Sequence, residues 1–436
     1  MNLQLRNGIT YMLLLSAVFF VFLVVILSNI NPYLSIVSII PILLLLYFLT
    51  KKDNLKKDHL FIFLFATCAI PHSILIGGLN ISLSDVYVAL LFFILPLIYT
   101  FNLKLPKTYT ILFLIFFIYH FTTLGWTPNI SKSIPRLLQY IEFMFMSVII
   151  LYNSSNPITI KKMLDYYLFV ASIIGIIGIF YYFLYDISGP LFVLGLHKNG
   201  LGWILGSTIP IILGKIFREN NSRKIQLFFT FLLLINCFAL FLTWSRGAIL
   251  GVVASTIVFF IIIKKYKHIF TFSVIVTIAF FFFNLVSPSF FEQAFNFTER
   301  SSAYSRIIIF NDAKHKIDKN PIFGNGIGNY HISIPEINFS QDDPNNIFLL
   351  FLVESGFIGV SLFSLLILYI FGVAMSNIKY FKNNQELLIL NGVLFSIFLS
   401  RLIHTQVDVT WVRGASLIMF SSVGLLLALT RFRNKN

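Results

Sequence analysis

Three cations, Lys198, Arg246 and Arg306, stand where apolar runs of this chain break, in the strings LHKNGLG, TWSRGAILG and AYSRIIIF. A guanidinium pairs bidentately with phosphate oxygens and an ammonium adds a point charge, so cations at such breaks suit a phosphorylated ligand. The plainer reading of each is an Arg or Lys that snorkels to lipid headgroups. In TWSRGAILG a tight turn presents Arg246 beside the free amides of the next helix, which suit an anion. In LHKNGLG, Lys198 suits a phosphate, Asn199 either caps the helix or bonds a sugar hydroxyl, and His197 precedes both. Arg306 opens a stretch, Ser305 to Lys319, with apolar residues at Ile307, Ile308, Phe310, Ala313 and Ile317. That spacing predicts an amphipathic helix on a membrane face.

The last of these strings belongs to one long polar island, Ser287 to Asn346, while the other two are short turns like the rest of the chain's loops. After the amphipathic stretch, Pro321 ends the helix and Gly324, Gly326 and Gly328 follow in NPIFGNGIGNYH, with His331 closing the string. No strand precedes those glycines and no βαβ unit surrounds them, so they are not a dinucleotide fingerprint. They read as a turn that packs backbone closely against a sugar or a helix. The island closes in DDPNNIFLLFLVESGFIG. Asp342, Asp343 and Asn345 lead in, Asn346 caps the next span, and Glu354 lies within an apolar helix. An intramembrane Glu is a functional candidate, although a bond to a neighbouring helix or to an Arg explains it equally. There is no HExxH, no Cys/His cluster, no GxSxG and no P-loop, so no metal or other cofactor is expected and cationic side chains carry the electrostatics.

The elements that must position these residues are helices in lipid. The 436 residues are 58% hydrophobic and only 11% charged, with a mean hydropathy of +0.87. Lipid forces each span to satisfy its own backbone, and the runs are apolar on every face, so the expectation is all-α and polytopic. Fourteen helices are predicted near 9–28, 33–50, 60–79, 84–100, 109–124, 135–152, 163–184, 200–216, 226–243, 247–263, 269–286, 346–375, 388–404 and 412–430. Cys68 and Cys237 fall inside spans and read as small buried hydrophobes. Most Lys and Arg fall in alternate loops, at 51–57, 102–107, 161–162, 217–224, 264–267, 378–382 and the RFRNK tail. The positive-inside rule makes that side cytoplasmic, with both termini inside and the island outside. The net charge of +15 is then topology and not a nucleic-acid footprint. Arg136, Glu142, Arg401, His404, Asp408 and Arg413 join the candidates on the outer side. The expected organisation is helices one to eleven in 1–286, an extracytoplasmic loop at 287–345, and three helices with a cytoplasmic tail in 346–436.

Taken in order, HKNGLG, TWSRGAILG, the Arg-started helix running into NPIFGNGIGNYH, and NNIFLLFLVESGFIG resemble the O-antigen ligase/polymerase superfamily. The resemblance covers about 195–365 and is closest to Wzy-type O-antigen or capsular polysaccharide polymerases, with WaaL ligases as the alternative. It implies a GT-C-like glycosyltransferase of the bacterial inner membrane, working without metal at the outer face on undecaprenyl-pyrophosphate-linked oligosaccharides as donor and acceptor. A chain-length regulator and a flippase are the implied partners. The resemblance makes Arg246 and Arg306 the pyrophosphate clamp; read from their sequence context, Asn345 and Asp343 join them as catalytic candidates, and Lys198, Asn199, His197, Tyr304, Asn346, Glu354 and His331 are substrate-binding candidates. The chain departs from the family at Asn345-Asn346, where the pattern reads His-Asn and the His of ligases is the presumed activator of the acceptor. That departure favours a polymerase. A transporter is the third reading, but its polar site would lie near the midplane on inverted repeats, whereas these polar residues gather at one face.

Overall fold

The computed structural model describes residues 64, 68, 73–76, 79–98, 104–154, 156–185, 187, 189–193, 196–218, 222–286, 302–334, 339–408 and 414–435. Two compact units are distinguished, one of Met1–Leu60 with Phe93–Asn102 and one of the remaining residues. The spans expected at 9–28 and 33–50, the start of the island, and Arg413 lie outside the described residues. The candidate residues and the helices that carry them belong to the second unit.

The architecture is mostly helical. Its elements are β1 (Ser73–Ile76), β2 (Leu79–Ser82), α1 (Leu83–Ile98), α2 (Lys107–Thr122), α3 (Ile130–Tyr140), α4 (Ser147–Ser154), α5 (Pro157–Leu184), α6 (Lys198–Ile216), α7 (Arg223–Leu242), α8 (Arg246–Ile262), α9 (Lys267–Val286), α10 (Ser302–Lys319), β3 (Ile332–Ile334), β4 (Phe339–Gln341), α11 (Ile347–Tyr380), α12 (Gln385–His404) and α13 (Gly414–Leu429). A π-helical turn, Ile141–Met146, joins α3 to α4. Among the described residues, seven segments are long and apolar enough to cross a membrane, and two shorter apolar helices, Arg246–Ile262 and Lys267–Ile278, accompany them. The chain is thus consistent with an all-α polytopic membrane protein.

One expectation is corrected. The span predicted at 60–79 contains helical Leu64 and Cys68, but it gives way to the antiparallel pair β1–β2, with Ser73 opposite Ser82 and Ile76 opposite Leu79. The string SILIGGLNIS has two short apolar runs around Gly-Gly, the spacing of a hairpin, and its hydropathy alone masks that signal.

Helix starts follow local chemistry. Asn156 caps α5 by accepting from the Thr159 amide at 2.9 Å, with Pro157 in the first turn where its missing N–H is harmless. Asn346 caps α11 in the same way, accepting from Leu349 at 2.9 Å. The packing centre is α12, which is buried on all faces, as an all-round apolar helix must be. It packs against α8, α13 and α6, while α6 also lies on α7 and α8. In α10 the buried stripe is Ile309 and Ala313, one turn apart, facing α11. Ile307 and Phe310, expected on the apolar face, are exposed and sit on the other side.

Helix α11 is broken at Gly356, whose backbone is left-handed (φ 64°, ψ −166°). A break in an apolar helix frees carbonyls and amides that lipid cannot satisfy. The glycine turn takes them up. Asn325 and Gly326 donate to the carbonyls of Val353 and Glu354, each at 2.9 Å, and Phe357 donates to Pro321 at 2.9 Å. A Cβ on Gly356 would strike the Ile322 carbonyl, and one on Gly324 would strike the Glu354–Ser355 peptide. Close approach therefore requires glycine on both sides.

Candidate functional site

The polar residues collect at one end of the helices: the starts of α6, α8, α10 and α11 and the end of α12. The opposite end carries Lys161, Lys215 and Arg218, paired with Glu386 and Asp165.

At the first end Lys198, Arg246 and Arg306 converge. The Lys198 ammonium is lowered from its ordinary range by burial, then by the charges of Arg246 and Arg306, against an opposing pull from Asp408. Arg306 acts on Arg246 as well. Three cations from three helix starts within one another's fields repel, and an anion bound among them relieves that repulsion. The start of α8 adds to this. Its N-cap residue Ser245 makes no capping bond to the helix amides; its hydroxyl donates to Asn199 Oδ1 at 3.0 Å and lies 3.5 Å from His404 Nε2. His404 Nδ1 meets Arg401 Nη1 at 2.9 Å, and Arg401, buried, stacks 5.4 Å from the Trp203 ring. A buried network thus holds the turn that presents Arg246.

Asp408 borders the cations, and Asp343 lies beside Asp408. Asp408, just past α12, is pushed up to about 6 by burial and by Asp343, while Arg306, Arg401 and Lys198 pull the other way. Asp343 is likewise raised by burial, against hydrogen bonds from the Asn345 amide and Gln341 and the charge of Arg136. The start of α11 is tied to the end of α12 by Ile347 donating to Thr405 at 2.9 Å and by Asn346 Nδ2 donating to the Gln406 carbonyl at 3.0 Å. Those bonds set the two carboxylates near each other.

The other sequence candidates divide. Asn345 is left-handed (φ 54°), a conformation Asn tolerates. Its side chain accepts from Gln341 Nε2 at 2.7 Å and its amide donates to Asp343 at 3.1 Å. Asn346 acts as helix cap. Of the two readings for Asn199 the cap is overturned: His197 is the N-cap of α6, its Nδ1 accepting from the Asn199 amide at 3.4 Å, while Asn199 braces Ser245. Burial and then the charge of Lys198 lower His197. Tyr304 stands in the first turn of α10, two residues from Arg306 and so on a different side of the helix. His331 lies apart from the cations, paired at 2.8 Å with exposed Asp342, which also meets Lys132 at 3.4 Å. Burial opposes those bonds, but His331 and Lys132 hold the Asp342 carboxyl below its ordinary range.

Glu354 is 1% exposed and neither carboxylate oxygen has a hydrogen-bond partner. The charges acting on it are Arg136 and Asp343. Arg136, on α3, was legible only as one more polar residue on the outer side. His120 was not singled out at all; it is buried in α2, with Nδ1 2.7 Å from the Phe116 carbonyl and Nε2 3.1 Å from Ser355 Oγ. Among the described residues no three His, Cys, Asp or Glu side chains converge so as to hold a metal ion.

Residues 229–364 match the family model Wzy_C, described as O-antigen ligase. The matched stretch runs from α7 into α11 and includes Arg246, Arg306 and the glycine turn. No curated protein matches the chain.

Proposed function

With residues 229–364 supporting the O-antigen ligase/polymerase superfamily, we propose that this protein is a polysaccharide polymerase of the bacterial inner membrane. It transfers an undecaprenyl-pyrophosphate-linked glycan onto the non-reducing end of a second lipid-linked repeat unit at the outer face. The observation that carries the reading is the convergence of Lys198, Arg246 and Arg306.

The donor pyrophosphate sits among those cations. The acceptor hydroxyl oxygen attacks the anomeric carbon, the bond from that carbon to the phosphate oxygen breaks, and its electron pair leaves on the pyrophosphate. The cations stabilise the charge that grows there, so they act mainly in the transition state. The hydroxyl proton passes to the carboxylate pair Asp343–Asp408. Asp343, two residues before Asn345, thereby supplies a proton acceptor where an amide cannot. Electrostatic stabilisation by fixed cations and a carboxylate base require no metal. The island helix α10, bearing Tyr304 and Arg306, and the turn pinned into α11 restrict water access and so spare the activated glycan from hydrolysis. A WaaL-type ligase is the second reading, favoured by the matched family's description; Asn345 in place of the ligase His weighs against it. Asn199 and His197 serve as supports at the start of α6, and a chain-length regulator and flippase remain proposed partners.

Deletion of the gene followed by a lipopolysaccharide gel tests the reading. A polymerase leaves one repeat unit on the core, and complementation by the wild type restores the ladder. Core without glycan means a ligase, and an unchanged ladder overturns both.

A further inference from the structure

Glu354 and Arg136 form a second polar centre that the donor clamp does not use. The Glu354 carboxylate is buried with both oxygens unpartnered, and Arg136 Nη1 is likewise buried and unpartnered. The two groups act on each other electrostatically without closing an ion pair, and the backbone amides of Gly328 and Tyr330 lie beside the carboxylate and act on it without reaching close hydrogen-bond geometry. Buried charges left open in this way are costly.

The gap is built into the fold. The backbone carbonyl of Glu354 is held by the Gly326 amide and that of Val353 by Asn325, both at 2.9 Å. Ser355 is fixed by His120 and donates to the Phe351 carbonyl at 2.8 Å. On the other wall, Arg136 follows Pro135 in α3 and precedes the π-helical turn Ile141–Met146. Such turns are irregularities that recur at functional sites. Ser133 of α3 donates to the Ile327 carbonyl at 2.6 Å, so α3 and the glycine turn are clamped together. Neither partner can drift across to meet the other.

A guest that satisfies both must donate to a carboxylate and accept from a guanidinium, and it must be uncharged, because the pair is already balanced. An anion would meet Glu354 and Asp343. Adjacent hydroxyls of a sugar fit these demands. The centre is also continuous with the donor site: Asp343 is felt by Glu354 and faces Asp408, which in turn faces Arg306 and Lys198. A sugar held there is therefore linked to the cations through Asp343 and Asp408, the carboxylates assigned above to the acceptor hydroxyl.

We propose that Arg136 and Glu354 bind hydroxyl groups of the acceptor glycan, forming a neutral-sugar subsite between α3, the glycine turn and the break in α11. This rests on the polymerase reading. The test uses purified full-length protein in detergent, as wild type and as Glu354→Gln, Glu354→Asp and Arg136→Gln, with two probes. The first is undecaprenyl pyrophosphate; the second is the repeat-unit oligosaccharide freed from its lipid by mild acid. Losing a hydrogen bond to a charged group is expected to weaken oligosaccharide binding by about tenfold or more in all three variants, while undecaprenyl pyrophosphate binds unchanged. Oligosaccharide that fails to bind wild type, or that binds the variants equally well, overturns the subsite. Loss of both probes in the variants also overturns it, since that marks a structural role. Failure of the wild type to bind undecaprenyl pyrophosphate overturns the donor reading instead.

Discussion

The backbone amide of Gly326 donates to the carbonyl of Glu354 at 2.9 Å. Through that bond and its neighbours the glycine turn is stitched into a broken apolar helix. Gly326 has φ 92°, and a Cβ there would come within 2.7 Å of the Thr127 Cα. Gly326→Ala should therefore lower the thermal midpoint of the detergent-solubilised protein by a few degrees, because left-handed strain of about 1–2 kcal/mol adds to the clash. It should also shorten the polymer ladder. A midpoint and ladder equal to wild type would show that the stitch is dispensable.

Asn345 separates conformation from chemistry. With its backbone left-handed and its side chain bonded to Gln341, glycine can keep the turn and alanine cannot. If the backbone role dominates, Asn345→Gly keeps most of the activity and Asn345→Ala loses stability by about 1–2 kcal/mol. If the amide touches substrate, both variants lose activity alike. Membrane abundance by immunoblot and ladder formation on the same cells distinguish the two.

The carboxylate pair predicts a pH limb. Burial and Asp343 push Asp408 up to about 6, so it is protonated below that value and cannot accept the hydroxyl proton. Polymerisation rate should climb as pH rises through about 6 and level off above it. Asp408→Asn should lower the plateau and remove or displace this limb. An unchanged profile in Asp408→Asn would assign the proton elsewhere.

The Ser245 network is expected to act on positioning. Ser245→Ala removes the bond to Asn199 at 3.0 Å and loosens the turn that aims Arg246. One such bond is worth about 1 kcal/mol, so the rate should fall by about fivefold with protein abundance unchanged. A loss as large as that of Arg246→Ala would mean that Ser245 contacts substrate.

Much of this was legible in sequence because lipid leaves few options. Apolar runs mark α7 and α12 to within about three residues, whereas α5 begins six residues before its expected start and α11 runs five past its expected end, and the opposed placement of Lys161, Lys215 and Arg218 against Arg246 and Arg306 follows charge sorting. The break at Gly356 was hidden because FLVESGFIG is apolar on both sides of it, and only its docking against Pro321 and Ile322 explains it. Arg136 comes to face Glu354 across a gap through tertiary packing between residues distant in sequence, which no local pattern encodes. Asp408 joins the cations because α12 ends beside the start of α11, again a matter of packing. His120 gave no sign beyond being one polar residue in an aromatic run.

The most direct test of the donor clamp tracks the leaving group. Full-length protein in lipid vesicles is supplied with lipid-linked repeat units extracted from the deletion strain, in the presence of EDTA. Release of undecaprenyl pyrophosphate and growth of the lipid-linked chain are measured together. Wild type should give both, and Arg246→Ala and Arg306→Ala should each slow release by about 10²–10³-fold, the scale of losing one fixed charge-stabilising contact. Release at wild-type rate from both Ala variants, or no release from wild type itself, would contradict the account.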